Sequence, residues 1–203
     1  MGKVVQFPIS SPEKFGFKPV RKKKSDVPEK KGQLNLFVGG KVVKMNSLTP
    51  FEEALLIDDM GDTEKARELY LKAIKAKDSL ADAYCNLGII ELDRGNMVGA
   101  LENFAQSLKN DPRHVEAHYN LANLYYDAGD FPLARLHYEA AIQIEPNFSL
   151  VFYNLALVYH RLNNVEGARR SLNRYKDLEP GDEEIELVDQ LLKAMETGRP
   201  VTG

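Results

Sequence analysis

Tryptophan is absent from this chain, and cysteine occurs once, at Cys85. A single thiol excludes an internal disulfide framework and fits a reducing compartment. No apolar run approaches the roughly 18 residues of a membrane span. The first residues, MGKVVQFPISSPEKFGF, lack the apolar core of about 7–15 residues that a secretion signal needs. Gly2 is present, but Gln6 stands where a myristoylation signal wants Ser or Thr. These absences point to a cytoplasmic protein with no membrane partner. Chemistry is scarce too. There is no glycine-rich phosphate loop, GxSxG, HExxH or CxxC. His114 and His118 are four apart but no third metal ligand is specified, His137 reads as an outer-surface residue, and Cys85 has no histidine or helix terminus to activate it. The expectation is a protein that is not an enzyme and carries no cofactor or metal.

What is present is unevenly distributed. The 203 residues carry a net charge of -3, which divides into +8 over residues 1–46 and -11 over residues 47–203. A basic arm on an acidic body either contacts something else or lies against its own body. Residues 1–32 hold Pro8, Pro12, Pro19 and Pro28, Gly16 and Gly32, and the basic run Arg21–Lys24, with no helical or strand period. Four clustered charges without a fold or regular aromatic interleaving do not predict nucleic-acid binding; a solubilising tail explains them as well.

Residues 33–45 admit two readings. Gln33, Leu34, Asn35, Leu36 and Phe37 form a pentapeptide that resembles the short motif by which bacterial replication and repair factors engage the sliding clamp. Gln33, Leu34, Leu36 and Phe37 match it position for position, and Asn35 departs at its variable middle position. Leu36 and Phe37 would be adjacent anchors for an apolar pocket, with Gln33 bonding at its edge. Alternatively, Leu34–Val38 and Lys41–Met45, separated by Gly39-Gly40, read as a small β-hairpin. Its apolar side would cover the end of the body or meet a second copy of the chain.

From Ser47 a period of 34 residues takes over, giving units 47–80, 81–114, 115–148 and 149–182. Position 15 of each unit reads Gly61, Gly95, Gly129 and Asn163, residues tolerated at positive φ in a tight helix–helix turn. Position 20 is Ala66, Ala100, Ala134 and Ala168, small enough for close helix approach. Position 24 supplies large knobs, Tyr70, Phe104, Tyr138 and Leu172. Position 32 is Asp78, then Pro112, Pro146 and Pro180, which stop the second helix. In units 2 to 4, positions 7 and 8 pair a leucine with a small residue: Leu87-Gly88, Leu121-Ala122 and Leu155-Ala156. Residues 183–197 form one further amphipathic helix, expected to cap the last unit through Ile185, Val188, Leu191, Leu192 and Met195, and 198–203 form a frayed tail.

These columns resemble the tetratricopeptide repeat family over 47–182. The resemblance implies an all-α fold: a right-handed superhelical solenoid of about four helix pairs plus a C-terminal capping helix, preceded by the basic, largely irregular arm. It also implies a concave groove, lined by the first helix of each pair, that receives a peptide or a helix of another protein. Asp82, Cys85, Ile89, Leu92 and Asp93 would line it from unit 2; Glu116, Tyr119, Asn123, Tyr126 and Asp127 from unit 3; Leu150, Tyr153, Leu157, His160 and Arg161 from unit 4; and Leu48, Phe51, Leu55, Asp58 and Asp59 from unit 1. Asn86, Asn120 and Asn154 stand at position 6, where they would either grip a peptide backbone or bond from helix to helix.

An apolar, aromatic centre with an acidic rim favours a protein or peptide partner with apolar anchors and some positive charge. The subtype that reads acidic chaperone tails needs several Lys or Arg in the groove, and Asp82, Glu116 and Asp127 do not supply them. Three functions follow: a peptide-binding adaptor or assembly scaffold, a replication- or repair-associated adaptor acting through Gln33–Phe37, and a self-associating structural module. The groove itself could also be filled by the basic arm.

Overall fold

The computed structural model describes residues 35–38, 41–44, 48–182 and 185–197, with side chains from 48 to 182 and 185 to 194. Strands β1 (Asn35–Val38) and β2 (Lys41–Lys44) pair antiparallel, with Leu36 opposite Val43 and Phe37 opposite Val42. The hairpin reading of this stretch therefore holds for the backbone. Gln33 and Leu34 of the pentapeptide lie outside the described residues.

Nine helices follow among the described residues. They are α1 (Pro50–Asp59), α2 (Thr63–Ala76), α3 (Leu80–Asp93), α4 (Met97–Asn110), α5 (Val115–Asp127), α6 (Phe131–Ile144), α7 (Ser149–Arg161), α8 (Val165–Leu178) and α9 (Ile185–Thr197). None is long and apolar enough to cross a membrane. The helices form two compact bodies, one ending at His114 and the other beginning at Val115.

Each helix pair turns the same way for the same reason. Gly61, Gly95 and Gly129 sit at φ +84°, +76° and +79°, and Asn163 occupies the same turn at φ 55°. An L-residue with a Cβ resists this region, and asparagine resists it least. The following residue caps the second helix. The side chains of Asp62, Asn96, Asp130 and Asn164 accept hydrogen bonds from the backbone N–H groups of Lys65, Gly99, Leu133 and Gly167. Such a cap contributes about 1 kcal/mol.

In the first body, Ala66 lets α2 approach α1, and Phe51, Ile57, Leu69, Tyr70, Leu87 and Ile90 fill the space between. Phe51 was expected to line the groove. Instead it is buried in this core, its ring 5.9 Å from that of Tyr70. Asp78, the residue that breaks the proline column, ties down the start of α1. Its carboxylate accepts from the backbone N–H of Phe51 at 2.8 Å. Gly88 lies flat against the Phe104 ring, where a Cβ would come within 2.6 Å of the ring edge.

In the second body, Ala134 and Ala168 play the same spacing role, and Tyr138, Leu155, Val158, Leu172 and Tyr175 are the filling. Val188 and Leu191 of α9 are buried against this core, with Ile185 and Leu192 half-buried beside them. Lys176 of α8 bonds Asp189 of α9 at the rim of the contact. The side chain of Met195 lies outside the described residues.

Candidate functional site

Within each body, the positions expected to line a groove stand on the first helix of each pair. In the second body the face of interest is built on α5 and α7. Four side chains meet beneath it. Tyr138 donates its hydroxyl to Asn123 Oδ1. The amide nitrogen of Asn154, on α7, donates to the same Asn123 oxygen at 3.2 Å and to the Tyr119 hydroxyl at 3.2 Å. In this arrangement Asn123 presents its oxygen and Asn154 turns its nitrogen toward it. The consequence falls on the other end of Asn154. Its Oδ1 is fully buried and has no hydrogen-bond partner among the described residues. A buried acceptor left in this state costs about 1–3 kcal/mol.

Around this bed the predicted residues fall into layers. Tyr119, Asn120, Asn123, Tyr126, Tyr153, Asn154 and Leu157 are buried. Tyr119 packs against Tyr138 and Phe148 with ring centroids 6.0 and 5.1 Å away, and Tyr153 against Tyr175 at 5.3 Å. Tyr126 meets the edge of Phe131, and its hydroxyl accepts from Arg161 Nε at 3.3 Å. The Arg161 guanidinium also lies over the Phe131 ring. Glu116, Leu150 and His160 are half-buried, while Asp127 and Arg161 are exposed.

In the first body the same positions behave differently. Cys85 is a buried free thiol, and Asn86 is buried, its amide donating to the Tyr70 hydroxyl at 3.1 Å. Tyr70 in turn donates to Asp58 at 3.0 Å. Leu48, Leu55, Ile89 and Leu92 are half-buried, and Asp59 and Asp93 are exposed. Asp82 is half-buried, with His114 Nε2 at 3.0 Å. Two of the three position-6 asparagines, Asn86 and Asn154, thus spend their amide nitrogens on bonds between helices.

Burial, with Asp58 second, raises the Tyr70 phenol well above its ordinary pKa, and burial pushes Tyr119 up to about 12. Burial raises Tyr138 strongly too. These hydroxyls remain protonated donors at neutral pH. Burial, with Arg161 second, lowers His160. His137 was expected on the outer surface. It is half-buried, with its ring stacked on Tyr125 and its Nδ1 3.0 Å from that of His118, and burial holds its pKa down to about 4. The described residues contain no group of three metal-ligating side chains.

Reading position 6 alone misses this polar bed. The signal was available as Asn123 at position 9, facing Asn154 at position 6 of the next unit, with tyrosines at positions 5 and 24 between them. Each body is a stack of helix pairs, and in the second body the first helices α5 and α7 carry a face with this polar floor. Four tetratricopeptide repeat family models match the sequence, at residues 51–103, 91–136, 122–163 and 150–182. The chain belongs to the tetratricopeptide repeat family.

A sequence search of curated proteins gives no match. Among solved structures, a crystal structure of the MamA protein superposes with TM-score 0.62 at 21% identity, over 73% of this chain and 80% of that one. The pilF protein of Pseudomonas aeruginosa gives TM-score 0.65 at 23% identity, over 73% of this chain and 68% of that one. The first repeat domain of Spaghetti (RPAP3), solved with the HSP90 peptide SRMEEVD, gives TM-score 0.52 at 18% identity, over 58% of this chain and 94% of that one.

Proposed function

We propose that this protein is a non-enzymatic adaptor that holds an extended peptide segment of a partner protein on the α5–α7 face. The observation that carries the reading is the orphaned Oδ1 of Asn154. A peptide backbone N–H is the donor that would satisfy it, and the neighbouring Tyr119 and Asn123 amide–phenol network holds the acceptor in place. Glu116 and Asp127 give this face its acidic edge, so the preferred peptide has apolar anchors with Lys or Arg nearby. The repeat domain of RPAP3 solved with an HSP90 peptide supports peptide binding on this fold. That peptide is acidic, and the charge of the present face points the other way. The adaptor role and a bacterial, cytoplasmic setting are part of this proposal.

The test is fluorescence anisotropy with the whole chain and two labelled synthetic peptides, one interspersing Leu and Phe with Lys, the other with Glu in place of Lys. The basic peptide should bind more tightly, and Asp127→Arg should weaken it about five- to tenfold while the helical circular dichroism at the assay temperature is kept. Equal binding of both peptides, or indifference to Asp127→Arg, would rule the reading out.

A further inference from the structure

We infer that the α5–α7 face has an occupant within its own chain: residues 4–18 of the N-terminal arm, which dock there and must be displaced before a partner binds. This rests on the peptide-binding reading of the face, and it adds regulation to it. Three observations converge on that occupant.

The first is chemical match. The face asks for apolar anchors, a positive charge and backbone donors. Residues 4–18 read VVQFPISSPEKFGFK. They offer Val5, Phe7, Ile9, Phe15 and Phe17 as anchors, with Lys14 and Lys18 beside the last two. Pro8, Pro12 and Pro19 disfavour a helix and favour extended backbone, whose N–H groups are not consumed internally. One such N–H is the donor that Asn154 Oδ1 lacks. The second is charge. Residues 1–34 hold nine Lys or Arg and three Asp or Glu, whereas residues 115–203 hold eight and fourteen. An arm of one sign is drawn to a body of the other, and Glu116 and Asp127 fix where on the face the lysines settle. The third is reach. Residues 19–47 separate the segment from the first described residue of the repeats. Of these, the paired strands Asn35–Val38 and Lys41–Lys44 add little length, and residues 19–34 with 45–47 span up to roughly 60 Å at about 3.3 Å per residue, which gives the segment a long tether. The tether also raises the segment's effective concentration to the order of millimolar, enough to hold a weakly binding segment in place.

Hydrogen exchange read by mass spectrometry on the whole chain, at low micromolar concentration, tests this directly. The amides of residues 4–18 should exchange at least tenfold more slowly than in a synthetic peptide of residues 1–24. The double substitution Phe15→Ala and Phe17→Ala should return them to the free-peptide rate while the helices keep their protection. A labelled peptide of residues 4–18 added in trans should bind that variant at least fivefold more tightly than the unaltered chain. Asp127→Arg should speed exchange of the arm in the otherwise unaltered chain.

Arm amides that exchange at the free rate in the unaltered chain overturn the inference. So does protection that is indifferent to Asp127→Arg, which would place the arm elsewhere. Protection that grows with protein concentration also overturns it, because the occupied face would then belong to a second copy. The two readings fail separately. If the arm exchanges freely but the basic Leu/Phe/Lys peptide still binds in an Asp127-dependent way, the adaptor reading stands alone. If the arm is protected and the 4–18 peptide binds the Phe15→Ala, Phe17→Ala chain but the basic Leu/Phe/Lys peptide does not, the face serves only the arm and the adaptor reading falls.

Discussion

Asn154 shows how one side chain can be fully specified at one end and incomplete at the other. Its nitrogen is claimed by Asn123 and Tyr119, which leaves its oxygen pointing away, with nothing among the described residues to accept from. Glu91 is the opposite case. Position 11 holds tyrosine in the next two units, yet here a carboxylate is accepted into a buried site because Arg67 Nε donates to it at 2.7 Å and Asn96 at 2.8 Å. The Arg67 bond, opposed by burial and aided by Asn96, holds its pKa below the ordinary 4.5. A carboxylate with a lowered folded-state pKa contributes stability that is present above its unfolded pKa and lost as pH falls through the folded value. Glu91→Gln should therefore lower unfolding free energy by about 1–3 kcal/mol at pH 7. In urea titrations the difference from the unaltered chain should shrink as pH drops below about 4.5. A difference independent of pH would mean that shape, and not charge, sets the contribution of Glu91. His137 gives a second pH effect. Its folded pKa lies below the ordinary 6.5, so the fold binds fewer protons than the unfolded chain and loses stability as pH falls from about 6.5 toward 4. His137→Phe should flatten that part of the profile.

At the scale of elements, the turns and the helix-spacing columns were legible because each rule repeats four times. Gly61, Gly95, Gly129 and Asn163 could be read as positive-φ residues from the pattern, and all four adopt it. Ala66, Ala100, Ala134 and Ala168 are all fully buried. Lateral contacts were harder to read. Whether a position-5 tyrosine faces solvent or packs under its neighbour depends on how far α5 and α7 close on each other, which no column encodes. Tyr119 and Tyr153 proved buried, Tyr119 against Tyr138 and Phe148 and Tyr153 against Tyr175. His114 likewise sits just before α5 and turns back to Asp82, so it does not share a face with His118. Position 8 of the second unit allows a direct test. Gly88→Val should cost about 1–3 kcal/mol, because the ring of Phe104 must move. Adding Phe104→Leu should recover part of the loss. Additive losses in the double variant, measured by denaturant melts, would show that the two residues do not press on each other.

At the scale of the whole molecule, charge is divided between an arm and a body. The pentapeptide Gln33–Phe37 remains a separate proposal for a sliding-clamp partner, now with the backbones of Leu36 and Phe37 in a paired strand. Leu36→Ala with Phe37→Ala should abolish a complex with a bacterial clamp in sedimentation while leaving thermal unfolding of the helices unchanged. No complex with the unaltered chain would close that proposal. Self-association of the repeats is tested by light scattering over a hundredfold concentration range, where a constant mass excludes it.

The most direct measurement is the side-chain amide resonance of Asn154 in the whole chain carrying Phe15→Ala and Phe17→Ala, titrated with the basic Leu/Phe/Lys peptide. A peptide held on the α5–α7 face should shift that resonance together with the backbone amides of Glu116, Asp127 and Leu150, and Asp127→Arg should weaken the titration. If the peptide binds but moves only residues on the second helices, such as Leu136 or Arg170, with Asn154 unchanged, the α5–α7 face is not the site.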